Sequence, residues 1–177
     1  MFKLHIIIHV LFLFAAWKWG DWKNWKNYYP TILYLIVSDL LYNFLTYNYP
    51  LWKFNAVSFD KFIYSNHTLI TVGIDFINFP ATVLMYLGNY PVGKIKQTVY
   101  VFTWVLLNTI IEFLSLHTIN GITHSNGWNM WWSAVLNLLF YVMLRVHYLH
   151  PLLAWIISFG IIILFGIYFG LPIHIMK

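Results

Sequence analysis

Apolar and polar positions alternate in blocks along this chain. Six predominantly apolar runs cover about 4–19, 31–49, 68–87, 99–116, 131–149 and 152–171. Each is close to the ~20 residues a helix needs to cross the hydrocarbon core of a bilayer. The pattern predicts an all-α fold, a polytopic transmembrane helical bundle of about six spans forming one domain over 1–177. Pro30 and Pro151 suit helix starts, where the first turn lacks N–H partners anyway, and Pro50 ends the second run. Pro80 predicts a kink in the third. Between runs one and two, Trp22, Trp25 and Tyr29 fall at i, i+3 and i+7, with Lys23 and Lys26 elsewhere on the same turns. That spacing predicts a short interfacial helix with rings toward hydrocarbon and ammonium groups toward phosphate. Trp17, Trp19, Trp22, Lys23, Trp25 and Lys26 are the expected interfacial anchors. The first run imitates a secretory signal, but Phe14 occupies a position where cleavage wants a small residue, so an uncleaved helix is expected.

Within the apolar runs, the polar residues are not scattered. Run two carries Asp39, Asn43 and Thr46 at i, i+4 and i+7; run three carries Thr71, Asp75, Asn78 and Thr82 at i, i+4, i+7 and i+11. Run four carries Asn108, Glu112 and Ser115, and run five carries Ser133, Asn137, Tyr141 and Arg145, each four apart. Such spacings put each set on one helix face. A face that cannot meet lipid should meet other helices or water. Runs two to five are therefore expected to enclose a common polar centre, with runs one and six peripheral. Gly166 and Gly170 have the small-xxx-small spacing that lets membrane helices approach closely.

Charge sharpens the stripes. Each ionisable side chain near mid-bilayer costs about 2.5–3.5 kcal/mol on insertion scales. Asp39, Asp75 and Glu112 are opposed only by Arg145. Arg145 lies roughly 13 Å from Glu112 along the membrane normal, at a rise of about 1.5 Å per residue. Arg145 is expected instead to reach lipid phosphate at the inner surface. The acids would then be protonated, or would hold a cation, a water file or a basic solute. Alternatively, they and the asparagines are helix glue, with interhelical hydrogen bonds worth ~0.6 to 2 kcal/mol each.

Composition agrees with a bilayer as solvent. The 177 residues are 61% hydrophobic and 8% charged, where a soluble domain carries about 25% charged residues. Ten Lys/Arg and five Asp/Glu give a net charge of +5 with no run of like charges, which argues against nucleic acid as a partner. Lys18, Lys23, Lys26, Lys94, Lys96 and Arg145 against Lys3, Lys53, Lys61 and Lys177 predict loops one, three and five in the cytoplasm and both termini outside. The lipid bilayer is one expected partner; partner membrane proteins or a second copy of the chain are others.

Chemistry-bearing motifs are few. Cysteine is absent, excluding disulfides, thiol catalysis and cysteine-ligated zinc. His67, His117 and His124 are the candidates for a metal site with Glu112, while His5 and His9 stand four apart without a third ligand; no metal or other cofactor is expected. No nucleophile elbow, phosphate-binding glycine loop or helical zinc-protease motif is present, so no catalytic residue is assigned.

The runs Trp-Lys-Asn-Tyr-Tyr-Pro-Thr-Ile-Leu (25–33), Asp-Leu-Leu-Tyr-Asn-Phe-Leu-Thr-Tyr-Asn-Tyr-Pro-Leu-Trp (39–52) and Asn-Gly-Trp-Asn-Met-Trp-Trp-Ser (126–133) resemble a family of small multi-pass membrane proteins of endospore-forming Gram-positive bacteria. Glu112, Trp128, Trp132 and Arg145 match its recurrent polar and aromatic positions. The resemblance implies a helical bundle in a bacterial plasma membrane and carries over no activity. Three functional readings follow from the residues: a polar-core bundle that binds or passes a cation, proton or small polar solute; a non-catalytic accessory or scaffold subunit of a membrane complex; and a membrane-embedded metal-dependent enzyme.

Overall fold

A computed structural model describes residues 4–57 and 63–172. Helix α1 spans Leu4–Trp19, and a 3-10 turn at Trp22–Asn24 leads into α2, Trp25–Leu45. Strand β1 is Trp52–Phe54. Helix α3 (His67–Gly73), a π-helical turn (Ile74–Asn78) and α4 (Phe79–Gly88) form one continuous helical segment. Then follow α5 (Lys94–His117), β2 (Ile122–His124), α6 (Met130–Leu149) and α7 (Pro151–Tyr168). Four segments are long and apolar enough to cross a membrane: His67–Gly88, Lys94–His117, Met130–Leu149 and Pro151–Tyr168. Helix α1 is apolar but shorter, and α2, interrupted by Asp39 and Asn43, is not among the four.

Local sequence explains where the helices start and stop. The Asn66 side chain accepts a hydrogen bond from Leu69 N–H, and Asn129 accepts from Trp131 and Trp132, so both cap otherwise unpaired N-terminal donors. Helix α7 ends in a Schellman motif. Leu171 N–H bonds Gly166 C=O, Gly170 N–H bonds Ile167 C=O, and Gly170 takes φ +61°. The π turn precedes Pro80. Phe79 N–H reaches back to Ile74 C=O, and Pro80 supplies no donor. The predicted kink therefore takes the form of one extra residue per turn, a device common at functional sites.

Three expectations change. The separate interfacial helix does not form, because the chain winds directly from Trp22–Asn24 into α2, with Pro30 inside that helix. Its rings nevertheless remain outward: Trp17, Trp19, Trp22 and Trp25 are exposed. Second, α1, at the edge of the bundle, nevertheless turns His5 and His9 into the interior. It packs on α4 and the π turn, with Ala16 against Ala81 and Met85. Third, Gly166 and Gly170 do not seat a neighbouring helix: a methyl at Gly166 would meet only Leu171, and one at Gly170 would meet nothing within 4 Å. They shape the end of α7, which packs chiefly on α6.

The core lies between α2, α4, α5 and α6. Tyr86 and Tyr141 are fully buried there, and the Tyr86 hydroxyl donates to Tyr141 C=O at 3.0 Å. Hydrocarbon outside the bundle removes most of the hydrophobic drive, so close packing and interhelical hydrogen bonds carry this association. At one end, Trp52–Phe54 pairs antiparallel with Ile122–His124. His5 of α1 and Phe169 after α7 reach the same end, against Asn55 and Trp128. At the other end, Asp21 N–H bonds Leu84 C=O and the Asn89 amide bonds Trp19 C=O. Gly88 allows that approach, since a methyl there would stand 2.5 Å from Asp21 Cβ.

Candidate functional site: a polar chamber inside the bundle

The polar faces of α2, α3–α4, α5 and α6 turn inward, and α1 joins them. They line a cavity of about 250 Å³ whose walls include Asp39, Asn78, Asn108, Glu112 and Asn137. His5 and His9 complete the wall from α1. The small sheet closes one end through Trp52, Phe54 and Ile122.

Asp39 lines one side of the chamber, and Asp75 is its fully buried neighbour. Asp75 sits in the π turn with no exposed surface, and no N–H or hydroxyl of the described residues bonds either of its oxygens. The Asp39 carboxyl of α2 lies within hydrogen-bonding reach of it. Asn43 positions Asp39 from one helical turn away: its amide donates to Asp39 Oδ2 at 2.7 Å and to Asp39 C=O at 2.8 Å. Asn43 is held in turn by His67. Phe54 N–H donates to His67 Nδ1 at 3.1 Å, so that nitrogen is the acceptor and Nε2 carries the proton. His67 Nε2 then donates to Asn43 Oδ1 at 3.0 Å. A continuous hydrogen-bonded path thus runs from strand β1 to the acid pair. Asn78 faces α1, with its Oδ1 2.5 Å from His9 Nδ1. Gly73 makes room for this contact, because a methyl there would lie 2.8 Å from His9 Nε2 and 2.9 Å from the Tyr64 hydroxyl.

The other side of the chamber is well satisfied. Ser133 donates to Glu112 at 2.5 Å, His124 Nε2 lies 2.8 Å from the same oxygen, and Trp128 Nε1 donates to Ser133 Oγ at 2.9 Å. The Asn108 amide donates to the Tyr141 hydroxyl. Asn137 donates to Thr109 at 3.2 Å. Among the described residues, Glu112–His124 is the one contact between an acidic and a basic side chain within 4.0 Å. Glu112 therefore has a structural partner that the spacing of acids did not reveal, supplied by strand β2.

Arg145 extends the α6 stripe but leaves the chamber. Its guanidinium stacks on Tyr90 at 4.6 Å and Tyr148 at 5.6 Å, at the end opposite the sheet. Two tyrosines form its seat. The three metal-ligand candidates stand apart. His67 is committed to Phe54 and Asn43, His124 to Glu112, and exposed His117 folds back onto Phe113. The described residues contain no group of three His, Asp or Glu arranged to hold a metal. His174 lies outside the described residues.

Outside the membrane segments, Asp21 takes part in the turn that seats loop one. Its carboxylate accepts from the Asn24 amide at 2.9 Å and the Tyr28 hydroxyl at 2.7 Å. Those bonds, Asn24 first, hold its pKa below the usual carboxylate range. Comparison with protein-family models, with curated proteins and with solved structures finds no match.

Proposed function

We propose that this is an integral membrane protein whose polar core binds or passes a cation, proton or small polar solute. One observation carries the reading: Asp75 is buried, bonded by no donor of the described residues, and set beside a second carboxyl that opens on a cavity. Buried polar groups are nearly always satisfied, and these two carboxyls are satisfied either by sharing a proton or by holding a cation between them. Two adjacent acids without a basic partner among the described residues suit a proton or a cation. Helix glue accounts for Asn108, Asn137 and Ser133, each of which has an interhelical partner or a partner within its own turn. It does not account for Asp75.

The same reading places the protein in a bacterial plasma membrane with six crossings, α1 and α2 included. Both termini face outward and loops one, three and five face the cytoplasm. The gathering of the sheet, His5 and Phe169 at one end supports that alternation, and exposed Lys23 and Lys26 at the other support its sidedness. A carboxy-terminal reporter active only in the cytoplasm overturns the orientation. Proton and tracer-cation uptake into proteoliposomes tests the function. Folded Asp75→Asn and Glu112→Gln proteins with wild-type flux overturn it, and leave a non-transporting subunit of a membrane complex as the reading.

A further inference from the structure

A second space adjoins the polar chamber. A half-open groove of about 770 Å³ runs between α2, α6 and α7, walled by Leu41, Leu139, Trp155, Phe159 and Ile162 among others. It shares Asp39, Trp52, Phe79, Leu136 and Phe140 with the chamber. Among the described residues, Asp39 is its one side chain of acidic or basic type. The two glycines at the end of α7 also border the groove; a methyl added at Gly166 would make only ordinary contact with Leu171, and one at Gly170 would meet none of the described residues.

The geometry points to a lipophilic cation as the ligand: a protonated or quaternary amine carrying a hydrocarbon chain. The inference rests on the polar-core reading above and names the class of its solute. A hydrocarbon tail matches the groove, whose lining is almost wholly apolar and lies at the depth of the lipid chains. An amine head matches the junction, where the Asp39 carboxyl meets the rings of Trp52, Phe79 and Phe140. Carboxylate and aromatic faces both attract a cation, and aromatic walls are the usual seat of quaternary ammonium groups. An anionic lipid head is disfavoured there by Asp39 and Asp75 together. A tail alone, without a head, leaves unexplained why the groove ends on a carboxyl.

The test uses the full chain in phosphatidylcholine nanodiscs and radiolabelled hexadecyltrimethylammonium, with empty nanodiscs as the background. Saturable binding above that background is expected. Unlabelled long-chain cation should compete; hexadecanol, which lacks the charge, and tetramethylammonium, which lacks the chain, should compete poorly. Asp39→Asn should weaken binding about tenfold or more, as expected for loss of a charged partner. Asp39→Glu should retain binding, which separates charge loss from misfolding. Gly166→Leu, which projects a side chain into the groove, should weaken the long-chain ligand as well. Binding no greater than to empty nanodiscs, equal competition by hexadecanol, or an unchanged Asp39→Asn protein each overturns the inference. Flux that depends on Asp39 and Asp75 without saturable amphiphile binding removes the groove ligand alone. Flux indifferent to both acids removes the polar-core reading and this inference with it.

Discussion

Asp75→Asn should make the protein more stable while abolishing its activity. In the native chain the Asp75 carboxyl is buried beside Asp39, and no N–H or hydroxyl of the described residues donates to it. Placing an Asp at mid-bilayer costs about 2.5–3.5 kcal/mol on insertion scales. An amide of the same shape removes one ionisable group and presents an N–H to Asp39, adding a hydrogen bond worth about 0.5–1.5 kcal/mol. The amide is itself polar, so only part of the insertion cost is recovered. We expect a net gain of about 1–2 kcal/mol, combining these ranges. For a chain of this size that corresponds to a midpoint rise of roughly 2–8 °C. Thermal or denaturant unfolding of wild type and variant in the same micelles reads the gain, and flux in proteoliposomes reads the loss. An Asp75→Asn protein destabilised by about 1 kcal/mol or more would refute the reasoning, because the carboxyl would then be making a structural bond.

Other expectations follow from the same contacts. Ser133→Ala strands the Trp128 indole N–H and removes a donor from Glu112, so it should cost about 1–3 kcal/mol in unfolding experiments. Gly88→Ala drives a methyl to 2.5 Å from Asp21 Cβ and should lower stability by about 1–3 kcal/mol through overpacking. Asp21 has a depressed pKa in the folded protein, so its bonds to Asn24 and Tyr28 stabilise the turn above the unfolded pKa of 3.8 and are lost as pH falls through the lower folded value. Hydrogen exchange of the backbone amides over 21–28 should accelerate in that acid range, and Asp21→Asn should abolish the acid dependence.

The helices and the polar faces were legible in the sequence because both obey simple periods. Apolar runs of bilayer length announce helices, and the four-residue spacing of Asp39 with Asn43 or Asn108 with Glu112 announces a shared face. Much of the rest depends on contacts between distant residues. The three-residue strands Trp52–Phe54 and Ile122–His124 are too short to show an alternating pattern, yet their pairing delivers His124 to Glu112. Helix α1 reads as peripheral because its polar content is two histidines four apart. That spacing was itself the signal, since both are buried against the chamber. Pro30 reads as a boundary, but here it lies within α2, one turn after Trp25. Gly166 and Gly170 fit a helix-packing motif by spacing and prove to be part of a helix stop, which only the positive φ of Gly170 discloses.

Access of a hydrophilic solute to the chamber between the helices is open to direct measurement, because the chain has no cysteine. Asn137→Cys places a thiol on the chamber wall, whereas Phe102→Cys places one on the exposed, lipid-facing surface of α5. A small, membrane-impermeant cationic thiol reagent should label the first in intact proteoliposomes and leave the second unmodified. Labelling of Asn137→Cys should also slow when Asp39 is changed to Asn, since the carboxyl that attracts the cation is gone. An Asn137→Cys protein as inert as Phe102→Cys would contradict the account, and the polar faces would then be packing surfaces only.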